Sequence, residues 1–160
     1  MESLDEIKRY IEAMDFRAII RKLMEEKKWS KQQALTACEQ YKNFVFLVRK
    51  YEATYSNLPP SNDIDEVWHR HILETVNYAK DCQVIFGKFL HHMTAGADAN
   101  AATFAEEEKN FEITQELYFK EFNDYIYEIK PKNFNPIALL IEKISQFFTI
   151  FKKQPSKGYI

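Results

Sequence analysis

The sequence has little of the material from which turn-rich or disulfide-bonded proteins are built. Its 160 residues include only three glycines, five prolines and two cysteines. A sheet protein with many tight turns needs more glycine and proline than this, and collagen-like or linker-like chains need far more. Cys38 and Cys82 are too few for a disulfide framework, so we expect a reducing compartment, with a single bridge as the alternative.

The chain also lacks a strong charge of one sign and a long apolar run. Its formal net charge is −2, so there is no basic surplus of the kind that nucleic-acid binding needs. No stretch of about eighteen uncharged apolar residues predicts a membrane span. The first residues, MESLDEIKRY, lack the apolar run of a signal peptide. We therefore expect a cytoplasmic protein that does not bind nucleic acid, and a secreted bacterial effector is the alternative.

A helical pattern extends along nearly the whole chain. Hydrophobic residues make up 46% of the sequence, which is enough for the core of one globular domain. They recur at the three- and four-residue spacing of amphipathic helices. We predict a single all-α domain spanning residues 1–160, a bundle of five or six helices. Their predicted bounds are about 4–14, 16–28, 31–55, 64–86, 103–129 and 136–152.

Capping signals support several of these bounds. Ser30 and Gln33 form a capping box, in which each side chain accepts a hydrogen bond from the backbone N–H of the other residue. Asp63 and Glu66 predict a second box at the start of the fourth helix. Gly87 is well placed to end that helix, because glycine readily adopts the left-handed conformation found after helix ends.

The last predicted helix is strongly amphipathic and lies in a basic segment. Its apolar residues from Ile137 to Phe151 fall on one face at 100° per residue. Residues 130–160 carry six lysines against one glutamate. Such a helix can contact a protein partner or a membrane surface. Docking on the core is the interpretation we favour, because a domain of this size needs its amphipathic helices for packing.

All four histidines lie in one motif region, residues 58–93. They form a His-x-His pair and an adjacent pair, with carboxylate, thiol and phenol groups nearby. Imidazole, carboxylate and thiolate ligands suit a divalent transition metal such as zinc or iron. The candidate ligands are Asp65, His69, His71, His91 and His92. Tyr78, Asp81 and Cys82 would orient those ligands or replace one of them.

Helix geometry limits which of these residues can share an ion. His69 and His71 are turned by about 200° from each other, so a regular helix does not bring both to one ion. Asp65 lies one turn before His69 on the same side. His71 and Cys82 would lie about 16 Å apart along a continuous helix. A complete site therefore requires the chain to return, through His91 or His92.

The competing interpretation is that these residues are structural. Trp68 and Val76 are then core residues, and a histidine beside them only satisfies a hydrogen bond. The chain would be a non-enzymatic protein-interaction module.

If an ion is bound instead, an incomplete protein ligand set leaves a position for water or substrate. Hydrolysis or oxidation is then the chemistry to expect.

The motif resembles that of the glycine-rich domain-containing protein-like family, a domain of unknown function. The resemblance covers about residues 30–93 and depends on Asp65-Glu66-Val67-Trp68-His69-Arg70-His71, then Tyr78, Asp81-Cys82, Gly87 and His91-His92. It implies that the histidines and Cys82 act as a unit, without naming a reaction. Here Met93 follows the paired histidines, where family members usually have a proline turn. The RNA-binding regions of larger plant members are lacking, so no RNA binding is implied.

Overall fold

A computed structural model describes residues 3–92 and 101–126. Every regular element in these ranges is an α-helix, which confirms the predicted all-α class. The six helices are α1 Leu4–Ala13, α2 Arg17–Glu26, α3 Lys31–Tyr51, α4 Asn62–Leu73, α5 Thr75–Phe86 and α6 Ala101–Phe122. All described residues fall in one compact unit, Met1–Ile129. In these ranges no helix is both long and apolar enough to cross a membrane.

The helix predicted over residues 136–152 lies outside the described residues, together with its apolar face from Ile137 to Phe151. The extent of the domain over 1–160 therefore stays a prediction.

Helix α3 is the centre of the described fold. Helices α1, α2, α4 and α6 all pack against it. Neighbours cover it from several sides, so its buried side chains surround much of the helix: Ala34, Ala37, Cys38, Gln40, Tyr41, Phe44, Val45, Phe46 and Leu47. Both hydrogen bonds of the predicted Ser30–Gln33 capping box are present. The helix ends at Tyr51, four residues earlier than predicted.

The single helix predicted over residues 64–86 is wrong, because the chain breaks at Glu74. This residue has φ −85° and ψ 58°, so it ends α4 and precedes α5. The break lets α5 pack against α1 while α4 packs against α3 and α2. It also turns Val76 outward, where it is 82% exposed. Val76 is therefore not a core residue, whereas Trp68 is buried as expected.

Three further helix ends can be compared with their predicted positions. The N-cap of α4 is Ser61, whose hydroxyl accepts a hydrogen bond from the Ile64 amide at 3.4 Å. The capping box predicted for Asp63 and Glu66 is therefore wrong, because Asp63 already lies in the first helical turn. Gly87 ends α5 as predicted, with a left-handed φ of 68°. Helix α6 ends at Phe122 rather than near residue 129.

Candidate metal centre

Three candidate ligands converge beside α4. Asp65 and His69 are one helical turn apart, and His92 approaches them from the segment that follows α5. His92 Nε2 lies 2.6 Å from Asp65 Oδ1, and His69 Nδ1 lies 3.4 Å from Asp65 Oδ2. One ligand atom from each residue lies within 4.8 Å of the other two. Zinc–ligand bonds of about 2.0–2.2 Å hold two ligands of one ion at most about 4.4 Å apart, so a small side-chain adjustment would bring the three atoms to one ion.

Local structure explains how the three residues meet. Asp65 lies in the first turn of α4, where the helix dipole favours a carboxylate. The left-handed turn at Gly87 ends α5 and allows the chain to reverse. His92 then reaches Asp65 across 27 positions of sequence. The group therefore depends on the one-turn spacing of Asp65 and His69 within α4, and on the reversal of the chain that brings His92 back to them.

The segment of residues 87–92, which follows α5 and is called the return segment below, is attached to α4 and α5 by the hydroxyl of Tyr78. Trp68 Nε1 donates a hydrogen bond to this hydroxyl at 2.9 Å. The hydroxyl in turn donates to the carbonyl oxygen of Leu90 at 2.6 Å. The rings of Trp68 and His92 meet edge to face, with centroids 4.5 Å apart. Trp68 therefore contacts both Tyr78 and His92 beside the candidate ligands.

The candidate centre is only partly enclosed. The His69 side chain is 47% exposed and that of Asp65 is 32% exposed, whereas that of His92 is 13% exposed. Solvent therefore reaches the group from the side of His69. An ion held there by three protein ligands would keep a position for water or another small ligand.

His71 belongs to a different, buried group. Its Nδ1 lies 3.0 Å from the Tyr41 hydroxyl, and its Nε2 lies 3.1 Å from Asp81 Oδ2. Tyr10 donates a hydrogen bond to the other carboxylate oxygen of Asp81 at 2.6 Å. Burial opposes ionisation of Asp81, but the hydrogen bonds from His71 and Tyr10 outweigh it and lower the pKa of that carboxyl. The structure thus separates His71 from His69.

A continuous helix does not allow the contact between His71 and Asp81, because ten residues of helix rise by about 15 Å. The break at Glu74 is what brings them together. Sequence reasoning also missed Tyr10 and Tyr41 as polar partners. The sequence around each tyrosine shows only that it lies on the face of a helix. The partner of Tyr10 lies 71 positions away and that of Tyr41 lies 30 positions away.

The remaining candidates lie around these two groups. His91 is exposed, and its ring lies 5.1 Å from that of Phe89 rather than with the three converging ligands. Cys38 and Cys82 are both free and buried. Burial raises the pKa of the Cys82 thiol, and it raises the pKa of Cys38 to about 12. Both cysteines are therefore protonated at neutral pH, and neither is an activated nucleophile.

Comparison with known proteins places the chain in a family. A profile of the UCP032817-like family matches residues 6–150. The chain belongs to this family. Over 64 residues, this UCP032817-like chain is 33% identical to glycine-rich domain-containing protein 2 of Arabidopsis thaliana and 31% identical to glycine-rich domain-containing protein 1.

Each aligned stretch covers 39% of the UCP032817-like chain but only 8% of its plant relative. The chain therefore spans a small part of the curated relatives that it matches. The similarity agrees with the predicted resemblance, while the role of the histidine motif stays a prediction. No solved structure matches the chain.

Proposed function

We propose that this UCP032817-like protein binds one divalent metal ion, zinc or iron, through Asp65, His69 and His92. The observation that carries the proposal is the convergence of one ligand atom from each residue within 4.8 Å. Two of these residues share a helix face, and the third arrives from a distant segment. Two imidazoles and one carboxylate form a ligand set that both zinc and iron accept.

This ligand set favours a reactive centre over a purely structural one. Structural zinc sites are usually closed by four protein ligands, whereas three ligands leave a position for water or substrate. The 47% exposure of His69 gives small molecules access to that position. The bound ion would activate water for hydrolysis, or in the case of iron would support oxidation.

The short contact between His92 and Asp65 is compatible with this proposal. In the absence of an ion, the imidazole and the carboxylate satisfy each other by hydrogen bonding. Metal binding requires a neutral imidazole nitrogen and a deprotonated carboxylate, so the ion would replace the shared proton. We therefore expect metal affinity to fall at acidic pH.

A titration with matched variants tests the proposal. The untagged protein is freed of metal, titrated separately with zinc and with ferrous iron, and analysed for bound metal by mass spectrometry. We expect one equivalent in the wild type and at least a tenfold loss of affinity in His69→Ala and His92→Ala. His91→Ala is the matched control, since it removes an exposed neighbouring imidazole outside the group.

Two outcomes would overturn the proposal. One is a wild type that takes up neither metal. The other is a His91→Ala variant that loses as much affinity as His92→Ala, because general histidine content would then explain the binding.

The other expectations from the sequence stay predictions. These are contact with a protein or membrane surface through the helix Ile137 to Phe151, the absence of nucleic-acid binding, and a cytoplasmic rather than effector destination. The interaction-module alternative, in which that helix or the acidic face of the helix predicted over residues 103–129 binds a partner, also stays a prediction.

A further inference from the structure

The hydroxyl of Tyr78 is the point at which α4, α5 and the return segment meet. It accepts from Trp68 in α4 at 2.9 Å and donates to the Leu90 carbonyl at 2.6 Å. Tyr78 is only 2% exposed. Burial raises the pKa of its phenol, so the proton that is donated to Leu90 is retained at neutral pH. Both hydrogen-bonding roles of the hydroxyl are therefore used within the protein.

These two bonds act on the backbone and on the imidazole ring of His92. Leu90 lies two residues before His92, so its carbonyl sets where the backbone of His92 runs. Trp68 supplies the ring against which the His92 imidazole rests, at 4.5 Å between centroids. Trp68 also directly precedes His69 in α4. One hydroxyl thus links the two elements that bring the candidate ligands together.

Additional contacts hold the same segment but do not reproduce this link. The ring of Phe89 packs edge to face on Tyr78, with centroids 5.2 Å apart. Cys82 interacts with the backbone of Leu90. These contacts would keep the return segment near α5 if the hydroxyl were removed. The hydroxyl joins Leu90 to Trp68, and it acts together with the contact between His92 and Asp65 in holding the segment to α4.

We propose that Tyr78 is a positioning residue for the metal site, whose hydroxyl holds His92 in reach of Asp65 and His69 by bonding Leu90 and Trp68. The inference rests on the proposed function for its effect on metal binding. A ligand that is held in place before the ion arrives loses less conformational freedom on binding. Substitution of residues that orient metal ligands typically weakens metal binding by about 10- to 100-fold.

The first test compares two tyrosine variants. Tyr78→Phe keeps the ring and removes the hydroxyl, and we expect it to weaken zinc binding by about tenfold. Tyr118→Phe is the matched control, since Tyr118 is also 2% exposed and its hydroxyl accepts a bond from Asn43 at 2.9 Å, away from the return segment. We expect the control to keep wild-type zinc affinity. Equal losses in both variants would overturn the inference.

A double-mutant cycle separates positioning from general loosening. In a His92→Ala background, Tyr78→Phe should have no further effect on the residual zinc affinity, because its route to the ion runs through His92. A further tenfold loss in that background would contradict the proposed route. Urea unfolding of each metal-free variant checks that the protein is folded in every titration.

A measurement without metal keeps the inference separate from the proposed function. The ring current of Trp68 should displace the proton NMR signals of the His92 imidazole in the metal-free wild type. We expect these signals to move toward unstructured values in Tyr78→Phe and to stay in place in Tyr118→Phe. Unchanged His92 signals in Tyr78→Phe would overturn the positioning role, whereas a wild type that binds no metal would overturn the proposed function alone.

Discussion

His92 Nε2 lies 2.6 Å from Asp65 Oδ1, although 27 positions of sequence separate the two residues. The contact joins the first turn of α4 to the segment beyond Gly87. An unfolded chain does not hold these groups together, so a ligand that needs both would bind the folded state in preference. Binding and stability are therefore linked at this contact.

Zinc should stabilise the folded protein. At a free concentration of 100 times Kd, zinc should raise the free energy of unfolding by about 2.7 kcal/mol. Urea unfolding with and without zinc measures this difference. The His92→Ala variant should show little stabilisation under the same conditions, because it lacks one of the three ligands. Equal stabilisation of the variant would place the bound zinc elsewhere.

Replacement of Trp68 by alanine should destabilise the fold by about 3–5 kcal/mol. The side chain is 8% exposed and packs against the ring of Phe44, with centroids 5.8 Å apart. Trp68→Phe keeps most of this packing and removes the donor to Tyr78, so its cost should be about 1–2 kcal/mol. Urea unfolding measures both values. A loss below 1 kcal/mol in the alanine variant would contradict a buried structural Trp68.

Stability should fall in acid partly because of Asp81. The folded pKa of this carboxyl is lower than its ordinary value of about 3.9, so the carboxylate is favoured in the folded state. Its contribution is fully present above that ordinary value, and it is lost as the pH falls through the lower folded pKa. In Asp81→Asn we expect a flatter dependence of the unfolding free energy on pH.

Urea unfolding in the presence of a chelator, at several pH values on the acid side of that ordinary carboxyl pKa, measures this effect. An unchanged slope in Asp81→Asn would show that other carboxyls account for the acid sensitivity.

Gly87→Ala should cost about 1–2 kcal/mol, because an L-residue is strained in the left-handed conformation. Gly87 has φ 68°, and an added Cβ would meet no atom within 4 Å, so backbone strain is the expected cause. Gly87→Asn should cost less, since asparagine tolerates this conformation. Thermal or urea unfolding compares the two variants. Equal costs would indicate that the loss does not arise from φ.

Part of the fold could be predicted from short stretches of sequence. The Ser30–Gln33 capping box and the turn at Gly87 depend on residues that contact their near neighbours, and both are present. The break at Glu74 has no glycine or proline to mark it. It becomes favourable because α5 packs on α1 while α4 packs on α2 and α3.

The helical class and the shared face of Asp65 and His69 follow from spacing along the chain, because the 3.6-residue turn is a local property. The approach of His92 to Asp65 and the pairing of His71 with Asp81 do not follow from such spacing. They connect residues 27 and 10 positions apart, across backbone that leaves the helix at Gly87 or Glu74. Their geometry is decided by the packing of α4, α5 and the return segment, in which the buried hydroxyl of Tyr78 finds both of its partners.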